Sequence, residues 1–349
     1  MTVSASQSSF ATTYLGLKLA HPFMLGASPL TTHLDNVRRL EDAGCAGICM
    51  HSLFEEQIAE VASGGVPHLF HPLPQIAVKR FGFEIPERYP LWPDEYLEQI
   101  RRIKGAVTVP VIASLNGVSA DGWLKYASLI EQAGADALEL NAYYLATSRQ
   151  DSPSRIERHV CALVRKLKTR IRIPLAVKLM PFYTAFASLA GRLEAAGADG
   201  LVLFNRLYQS DLDVETMVLR SNLRLSTSAE LLLRLHWLAV LSGRIKPSLA
   251  VTGGVHTVLD AVKALMSGAH AVQMVSAILQ QGPQHFSHIL QGVRDWMARH
   301  EYDSIDSFRG RLSLSQCPTL HFERLNYLRV LQTWPDAVQV QDPAVTTSV

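Results

Sequence analysis

The chain has 349 residues, of which 48% are hydrophobic and 18% are charged. Globular proteins average about 25% charged residues, and disordered chains combine low hydrophobicity with high net charge, so a disordered chain is excluded. The formal net charge of +2 argues against a broad electrostatic surface for nucleic acid. The length suits two domains or one large α/β barrel.

The most apolar window, Ala264–Leu279, contains polar side chains and is shorter than the roughly 18–20 apolar residues that span a bilayer. The polar N-terminal stretch has no basic region followed by an apolar one, so it predicts no secretory signal. The cysteines form no CxxC pair and no dense framework: Cys45, Cys49, Cys161 and Cys317. We therefore expect a reduced, cytoplasmic protein with no membrane segment.

One short pattern recurs along the chain, with small residues on either side of a glycine. It centres on Gly44, Gly134, Gly197 and Gly268, and each copy follows an amphipathic stretch and precedes a short apolar run. A helix that ends at a left-handed glycine and passes directly into a strand produces this pattern. Its repetition predicts alternating helices and strands, which is α/β architecture.

Eight short apolar runs predict parallel strands that are covered on both faces. The predicted strands are Phe23–Gly26, Gly47–Met50, Val111–Ala113, Ala137–Asn141, Leu175–Lys178, Gly200–Phe204, Leu249–Thr252 and Ala271–Met274. The helical patterns between them are Asp35–Ala43, Gly122–Ala133, Ser154–Thr169, Ala185–Ala196, Ala229–Leu241, Val258–Met266 and Gln284–Arg299. This alternation predicts a (β/α)8 TIM barrel. A doubly wound open sheet is the alternative, although it usually has about five or six strands.

Two connections are much longer than the about 2–6 residues of ordinary barrel loops. One covers His51–Pro110 and includes a predicted helix at Asp94–Lys104, and the other covers Asn205–Ser228. Both leave the carboxyl ends of strands, which is the face where barrel enzymes build their sites. We expect these insertions to form a substrate lid or an oligomer contact.

Within the second insertion, Leu212–Leu219 and Leu223–Leu225 predict a hairpin that turns at residues 220–222. No composition shift marks a domain boundary, so one domain is expected, with frayed ends. The predicted organisation is a tail at 1–10, a single barrel at 11–335 and a second tail at 336–349.

Polar side chains follow most of the predicted strands, on one rim of the barrel. They are Ser28, Asn116, Asn141, Lys178, Asn205, Thr252 and Ser276. Lys178 ends the apolar run IPLAVKLMPF, where an ammonium group is costly to desolvate without a partner. We expect it to meet an anion or an electron-rich ligand, the alternative being a lysine that simply reaches out to water.

Gly253 and Gly254 come just before a helix that begins near Thr257. Paired glycines let backbone N–H groups approach an anion, and the helix dipole favours negative charge there. The loops after the seventh and eighth strands form the recurrent phosphate site of this fold. The pattern predicts a phosphate-bearing ligand, held also by Ser276 and Ala277.

Asn141 and Asn205 each offer a hydrogen-bond donor and an acceptor, which suits the amide or imide edge of a planar ring. On either side of Lys178 they predict a site for a planar heterocycle, either a substrate or a flavin. The pairs His68/His71 and His285/His288 have no neighbouring cluster of further ligands, so we expect no metal.

Between Tyr14 and Gly282 the chain resembles the class 1 dihydroorotate dehydrogenases, which are barrels that bind flavin mononucleotide (FMN). The matching segments are TYLGLKLAHPFMLGASPL, SLNG with AGADALELN, IPLAVKLMPF, and VTGGVHTVLDAVKALMSGAHAVQMVSAIL. The last segment is the most specific, because it resembles the end of the barrel that binds the flavin phosphate.

The resemblance implies an FMN-dependent oxidoreductase that converts dihydroorotate to orotate in pyrimidine biosynthesis, passing hydride to flavin N5. Lys178 would contact the flavin ring and ribityl chain, Asn141 both flavin and substrate, and Asn205 the substrate. The other implied flavin contacts are Ala27, Ser28 and Asn116 at the ring end and Gly253, Gly254, Ser276 and Ala277 at the phosphate. The relatives also imply a homodimer.

The chain departs from the family pattern in the substrate half of the site. The position of the family's catalytic base is Tyr144, and Thr147 or Ser148 on the same loop could replace it. The family's lysine after the second strand is absent from Met50-His51-Ser52, and its substrate loop Asn-x-x-Gly-Leu-Pro-Asn is absent between Leu53 and Glu98. The small-molecule substrate therefore stays open.

Three alternatives follow for the function. The chain is an FMN oxidoreductase, a flavin-bearing subunit that does not use orotate, or a non-redox lyase with Lys178 as a Schiff-base amine. The electron acceptor is also open among fumarate, NAD and a protein partner.

Overall fold

Eight parallel strands close into a barrel in the computed structural model, which describes residues 10–63, 92–119, 123–208, 210–220, 223–317 and 324–333. The barrel strands, in order around it, are β3 (Phe23–Leu25), β4 (Ile48–Phe54), β5 (Val111–Asn116), β6 (Ala137–Asn141), β7 (Leu175–Leu179), β8 (Gly200–Leu203), β11 (Ser248–Thr252) and β12 (Ala271–Met274). Each coincides with one of the predicted apolar runs, so the (β/α)8 barrel is confirmed.

Helices follow the strands and cover the outside of the barrel, except for the last one, at Arg324–Gln332, whose described side chains are all exposed. They are α1 (Leu34–Asp42), α2 (Glu55–Ala62), α3 (Pro93–Lys104), α4 (Leu124–Gln132), α5 (Pro153–Lys168), α6 (Phe186–Ala195), α7 (Leu231–Leu241), α8 (Val258–Met266), α9 (Ser276–Gln281), α10 (His285–Arg299) and α11 (Arg324–Gln332). The predicted helix at Gln284–Arg299 is confirmed as α10, whereas the short helix α9 before it was not predicted; the two are separated at Gly282, which has a φ of 86°, and Pro283.

The recurrent glycine pattern marks the passage from helix to strand, as predicted. Gly134 has a φ of 96° and Gly268 a φ of 114°, both in the left-handed region. Gly44 and Gly197 take the same conformation at the ends of α1 and α6. A residue with a Cβ is strained at such an angle, so the glycines set where each helix ends.

A short antiparallel hairpin precedes the barrel and was not predicted. It pairs β1 (Thr12–Tyr14) with β2 (Leu17–Leu19). Tyr14 and Leu15 are buried among one inward-facing residue from each barrel strand: Met24, Cys49, Ile112, Ala137, Ala176, Val202, Ala250 and Ala271. Half of these residues are alanines, which leave space for the hairpin to fill the amino end of the barrel.

Three predicted boundaries are wrong by three residues or more. β5 continues to Asn116 instead of ending at Ala113, so Asn116 ends its strand instead of following it. β4 continues to Phe54 instead of ending at Met50, because Ser52 pairs with Ser114 and their hydroxyls lie 2.8 Å apart. The hairpin of the second insertion pairs β9 (Asp211–Asp213) with β10 (Val218–Arg220), so it turns before residues 220–222. Asp213 sets the turn by accepting hydrogen bonds from the N–H groups of residues 215 and 216.

The tail at 336–349 and most of the tail at 1–10 lie outside the described residues. The same is true of the proline-rich part of the first insertion, at 64–91. No described helix is long and apolar enough to cross a membrane.

Candidate functional site

A layer of polar side chains lies inside the barrel, above the apolar layer that the hairpin fills. Side chains of a strand alternate between its faces, so Glu139 shares the inner face with Ala137, and Lys178 shares it with Ala176. Glu139 is fully buried, Lys178 is 7% exposed and Gln273 is 1% exposed. The barrel therefore has an ionisable interior directly below its mouth.

Glu139 connects the members of this layer. The Lys178 Nζ donates to its Oε1 at 3.2 Å, and the Gln273 Nε2 donates to its Oε2 at 2.6 Å. Burial alone would lower the pKa of Lys178, but the Glu139 carboxylate outweighs it and the pKa is raised. Glu139 is thus the anionic partner that the sequence predicts for Lys178.

The predicted amides stand in register on neighbouring strands at the mouth. Asn116 pairs with Asn141, and Asn141 pairs with Lys178. The Asn205 side chain donates a hydrogen bond to the Asn141 Oδ1, while its backbone N–H donates to the Leu179 carbonyl at 2.8 Å. Asn141, Lys178 and Asn205 therefore meet at one place, with the two amides holding each other in position.

A cavity opens from this mouth toward the ends of β11 and β12. Its polar lining comes from Ser28, Lys178, Asn205, Arg206, Thr252, Gly253 and Ser276, and its apolar lining includes Ala27, Leu225, Val275 and Leu279. The Ser28 Oγ is buried in it and has no hydrogen-bond partner among the described residues. A buried hydroxyl without a partner is costly, so it favours a polar ligand atom at this position.

The glycine pair forms the far end of the cavity, just before α8. Both glycines take positive φ angles, 80° at Gly253 and 87° at Gly254. A Cβ at Gly254 would lie 2.6 Å from the backbone nitrogen of Leu231, and one at Gly253 would lie 3.0 Å from the Arg234 guanidinium. Only glycine allows the loop to lie this close to α7.

Three residues that the sequence analysis did not select lie around this loop: Ser226, His256 and Arg234. Ser226 accepts a hydrogen bond from the Gly254 N–H at 3.2 Å, contacts His256 Nε2 at 3.1 Å and donates from its own N–H to the Ser276 Oγ at 3.1 Å. Arg234 is buried and bonds the Thr252 and Glu230 carbonyls, and burial lowers its pKa to about 10. A cation thus lies beneath the predicted phosphate end.

The predicted catalytic residues Tyr144 and Thr147 line a different cavity of about 450 Å³. It lies between the loops after β6 and β7, where Phe182 and Tyr183 also contribute to its wall. The Tyr144 hydroxyl donates to Asp151, with both carboxylate oxygens at 3.2 Å, and Asp151 also pairs with Arg155. Tyr144 is therefore held by a carboxylate on the rim, away from the Lys178 cavity.

The preceding residue, Tyr143, is directed differently. The Tyr208 N–H lies 3.5 Å from the Tyr143 hydroxyl, and Tyr208 lines the Lys178 cavity. The loop after β6 thus presents one tyrosine toward Tyr208 and the other toward the outer cavity.

His51 lies in the middle of β4, in the Met50-His51-Ser52 segment that the sequence analysis identified as lacking a lysine. It lies within 3.0 Å of the Thr31 hydroxyl, and burial lowers its pKa to about 4. The imidazole is therefore neutral near pH 7.

Among the described residues, no three His, Cys, Asp or Glu side chains are grouped to hold a metal. His285 and His288 stack on each other with ring centroids 5.7 Å apart, while His68 and His71 lie outside the described residues. Cys45, Cys49 and Cys161 are free thiols.

The sequence carried a signal for Glu139 that the predictions did not use. Asn141 is two residues further along the same apolar run, and a period of two residues places both on one face of the strand. A lone carboxylate inside such a run is costly unless it is paired, and Lys178 stands on the next strand. Arg234 and Ser226 had no comparable signal, because their positions depend on how α7 packs.

Known proteins that resemble the chain were identified by comparison. A family model described as dihydroorotate dehydrogenase matches residues 9–297. The chain is 25% identical over 334 residues to the NAD-dependent dihydropyrimidine dehydrogenase subunit PreA of Escherichia coli K12, covering 89% of this chain and 79% of that protein. It is 27% identical over 310 residues to the catalytic subunit of dihydroorotate dehydrogenase B (NAD(+)) of Methanosarcina mazei, covering 85% of this chain and 93% of that protein. It is 22% identical over 340 residues to the chloroplastic dihydropyrimidine dehydrogenase (NADP(+)) of Arabidopsis thaliana, covering 87% of this chain and 77% of that protein.

Proposed function

The chain belongs to the dihydroorotate dehydrogenase family, and from that membership we propose an FMN-dependent oxidoreductase that acts on a dihydropyrimidine-type ring, with dihydroorotate as the first substrate to test. Its membership makes it a dehydrogenase acting on CH–CH groups. The observation that carries the finer proposal is one cavity that joins Lys178, Asn205 and Gly253.

The phosphate end of the cavity has the features that the flavin phosphate needs. Gly253 and Gly254 form a loop that any Cβ would obstruct, and the loop precedes the N-terminus of α8, capped by Thr257. Ser276 and Ala277 begin α9 on the opposite side. Two helix N-termini and the buried Arg234 cation together favour an anion with the charge of a phosphate.

The ring end has one unpartnered polar group that a flavin would satisfy. The Ser28 Oγ lines the cavity and is buried without a hydrogen-bond partner among the described residues. Ala27, Asn116, Asn141 and Lys178 are the remaining proposed ring contacts. A flavin ring edge carries both donors and acceptors, so amide, hydroxyl and ammonium groups all suit it.

The bound flavin would supply the two-electron redox chemistry. Lys178 would hold a positive charge that favours the electron-rich reduced ring, and Asn141 and Asn205 would orient the substrate's amide edges. The sequence predicts Tyr144, Thr147 or Ser148 of the loop after β6 for the proton at the neighbouring carbon, but Tyr144 and Thr147 line the outer cavity and not the Lys178 cavity. If Tyr144 nevertheless takes this proton while passing its own to Asp151, Tyr144→Phe should abolish flavin reduction by the substrate while leaving FMN bound.

The ion pair of Lys178 counts against a Schiff-base lyase. A lysine nucleophile must be a neutral amine, and such lysines have a lowered pKa. Glu139 raises the pKa of Lys178 instead. The redox function is therefore the better supported of the two.

An absorbance spectrum tests the proposal directly. Purified protein should show bound flavin, and anaerobic dihydroorotate should bleach it. Bleaching by dihydrouracil alone would assign the chain to the dihydropyrimidine substrates named for PreA and the Arabidopsis relative. Protein that refuses added FMN would overturn the cofactor, and flavin that neither compound reduces would favour a flavin-bearing subunit.

We further propose that the protein is a cytoplasmic homodimer acting in pyrimidine metabolism, as the family resemblance implies. PreA is named a subunit, so the electron acceptor can equally be a protein partner. Light scattering on the purified chain checks the dimer, and reoxidation of the reduced protein by fumarate or NAD checks the acceptor.

A further inference from the structure

The polar interior of the barrel contains one carboxylate that the proposed reaction does not use. Glu139 is fully buried on β6 and does not line the mouth cavity. Lys178 does line that cavity. The lysine therefore stands between the glutamate and any ligand at the mouth.

Both carboxylate oxygens of Glu139 are engaged. Oε1 accepts from Lys178 and Oε2 accepts from Gln273, at 3.2 Å and 2.6 Å. Gly26, at the end of β3, allows Gln273 to approach, since a Cβ there would lie 3.2 Å from the Gln273 Cβ and 2.9 Å from Val275. The carboxylate is thus fixed in direction from two sides.

Two other buried ionisable groups beside the pair, Tyr14 and Cys49, keep their protons at neutral pH. The pKa of Tyr14 and that of Cys49 are both raised well above their usual values, mainly by burial and further by the negative charge of Glu139. Tyr208, the remaining ionisable group near Lys178, lies at the mouth. Within the described barrel interior, the ammonium is balanced by the charge of Glu139.

We propose that Glu139 is a positioning residue that keeps Lys178 as an ammonium and directs it at the ligand in the mouth. This rests on the proposed function in one respect, that the ligand is a flavin. A lysine buried without a partner loses its proton, because desolvation disfavours the charged form. Without Glu139 the site would present a neutral amine, which donates more weakly and carries no charge.

The test compares Glu139→Gln with Glu157→Gln. Glu157 is a similarly buried glutamate that pairs with Arg192 on the outside of the barrel, so its variant makes the same chemical change elsewhere. Lysine labelled with ¹³C at Cε reports the charge of each amine by NMR, and Lys178→Met identifies the resonance. This measurement uses the protein stripped of flavin, so it does not depend on the cofactor.

We expect the Lys178 resonance of the wild type and of Glu157→Gln to remain that of an ammonium between about pH 6 and pH 10. In Glu139→Gln it should titrate within that range, and Glu139→Asp should restore the ammonium. A resonance that stays charged in Glu139→Gln would overturn the proposal. If Glu139→Gln does not fold, the same NMR measurement on the wild type and on Glu139→Asp still tests the proposal. A neutral Lys178 in either of them would overturn it.

A second measurement separates this proposal from the proposed function. With FMN added, the reduction potential of the flavin should be lower in Glu139→Gln than in Glu157→Gln. The variant loses the Glu139 anion and, with it, the Lys178 ammonium, and Lys178 is the nearer of the two to the flavin. An unchanged potential in a variant that binds FMN would contradict the tuning role. Failure of every variant and of the wild type to bind FMN would contradict the flavin and leave the NMR result standing.

Discussion

Lys178 and Glu139 form a buried ion pair, which is an expensive arrangement for a protein. Desolvating two charges costs several kcal/mol, and apolar residues of similar size often give equal or greater stability. The Lys178 side chain is 9% exposed and that of Glu139 is fully buried, so solvent screens the pair little. At the scale of single residues, the pair is better explained by the charge it presents at the mouth than by stability.

Replacing the lysine tests this interpretation. Lys178→Met should slow flavin reduction by substrate about 10²–10³-fold, the loss seen when one electrostatic contact to a developing charge is removed. It should also lower the free energy of unfolding by about 3–5 kcal/mol, since it leaves Glu139 without its cation. Stopped-flow absorbance and denaturant unfolding measure the two effects.

The double variant Lys178→Met with Glu139→Gln is the control. It removes both charges, so it should recover most of the stability but none of the reduction rate. Recovery of both would mean that the lysine acts only through folding.

The elements of the barrel follow from the sequence because most strands are short runs of apolar residues, as at Gly200–Leu203. Glycines with positive φ mark the points where the helices end. The hairpin at Thr12–Leu19 escaped prediction because its strands have three residues each and expose alternate side chains such as Lys18. Its position is a tertiary effect, set by the small alanines of the barrel interior.

The candidate site was predictable in part, for a related reason. Asn141, Lys178 and Asn205 meet at the mouth because strand ends of a parallel barrel share one rim. The loops between them are not fixed by periodicity, and so the sequence could not show that Tyr144 binds Asp151 in a separate cavity. Arg234 was equally hidden, since a helix of leucines gave no reason to expect a buried guanidinium.

The turn before α8 provides a prediction at the scale of elements. Gly254→Ala should lower FMN affinity and stability together, because its φ is 87° and the new Cβ would lie 2.6 Å from the Leu231 nitrogen. Gly134→Ala is the matched control, with a φ of 96° and nothing within 4 Å of the new Cβ.

In both variants the positive φ of the new alanine should lower the free energy of unfolding by about 1–2 kcal/mol. Only Gly254→Ala should lose more than that and release the flavin, as fluorescence of free FMN would report. Equal behaviour of the two would mean that the loop does not hold the phosphate.

The whole molecule should lose stability in mild acid because several histidines are buried as neutral rings. Burial lowers the pKa of His21, His51 and His270 from 6.5 to about 4. His21 and His270 also accept backbone N–H bonds at Nδ1, which a proton there would break. The unfolded chain takes up these protons as the pH falls through about 6.5, whereas the folded chain does not until about 4.

The free energy of unfolding should therefore fall as the pH is lowered from about 6.5 to about 4, with each histidine contributing up to about 1.4 kcal/mol per pH unit. Denaturant unfolding at several pH values measures the slope. His270→Asn keeps an acceptor for the Leu249 N–H but cannot titrate, so it should be less sensitive to pH than the wild type. An identical slope would show that His270 is not responsible.

The hairpin at the amino end has one more consequence. Leu15 fits against Gly200, where a Cβ would come within 2.4 Å of its side chain, and the Leu15 N–H bonds the Ser248 Oγ at 3.2 Å. Because the hairpin closes the amino end of the barrel among the described residues, we expect small molecules to reach the proposed flavin through the mouth at the strand ends. If the substrate and a small-molecule electron acceptor enter through the same opening, they cannot occupy the site together. The closed amino end therefore predicts ping-pong kinetics, in which the product leaves before the acceptor binds.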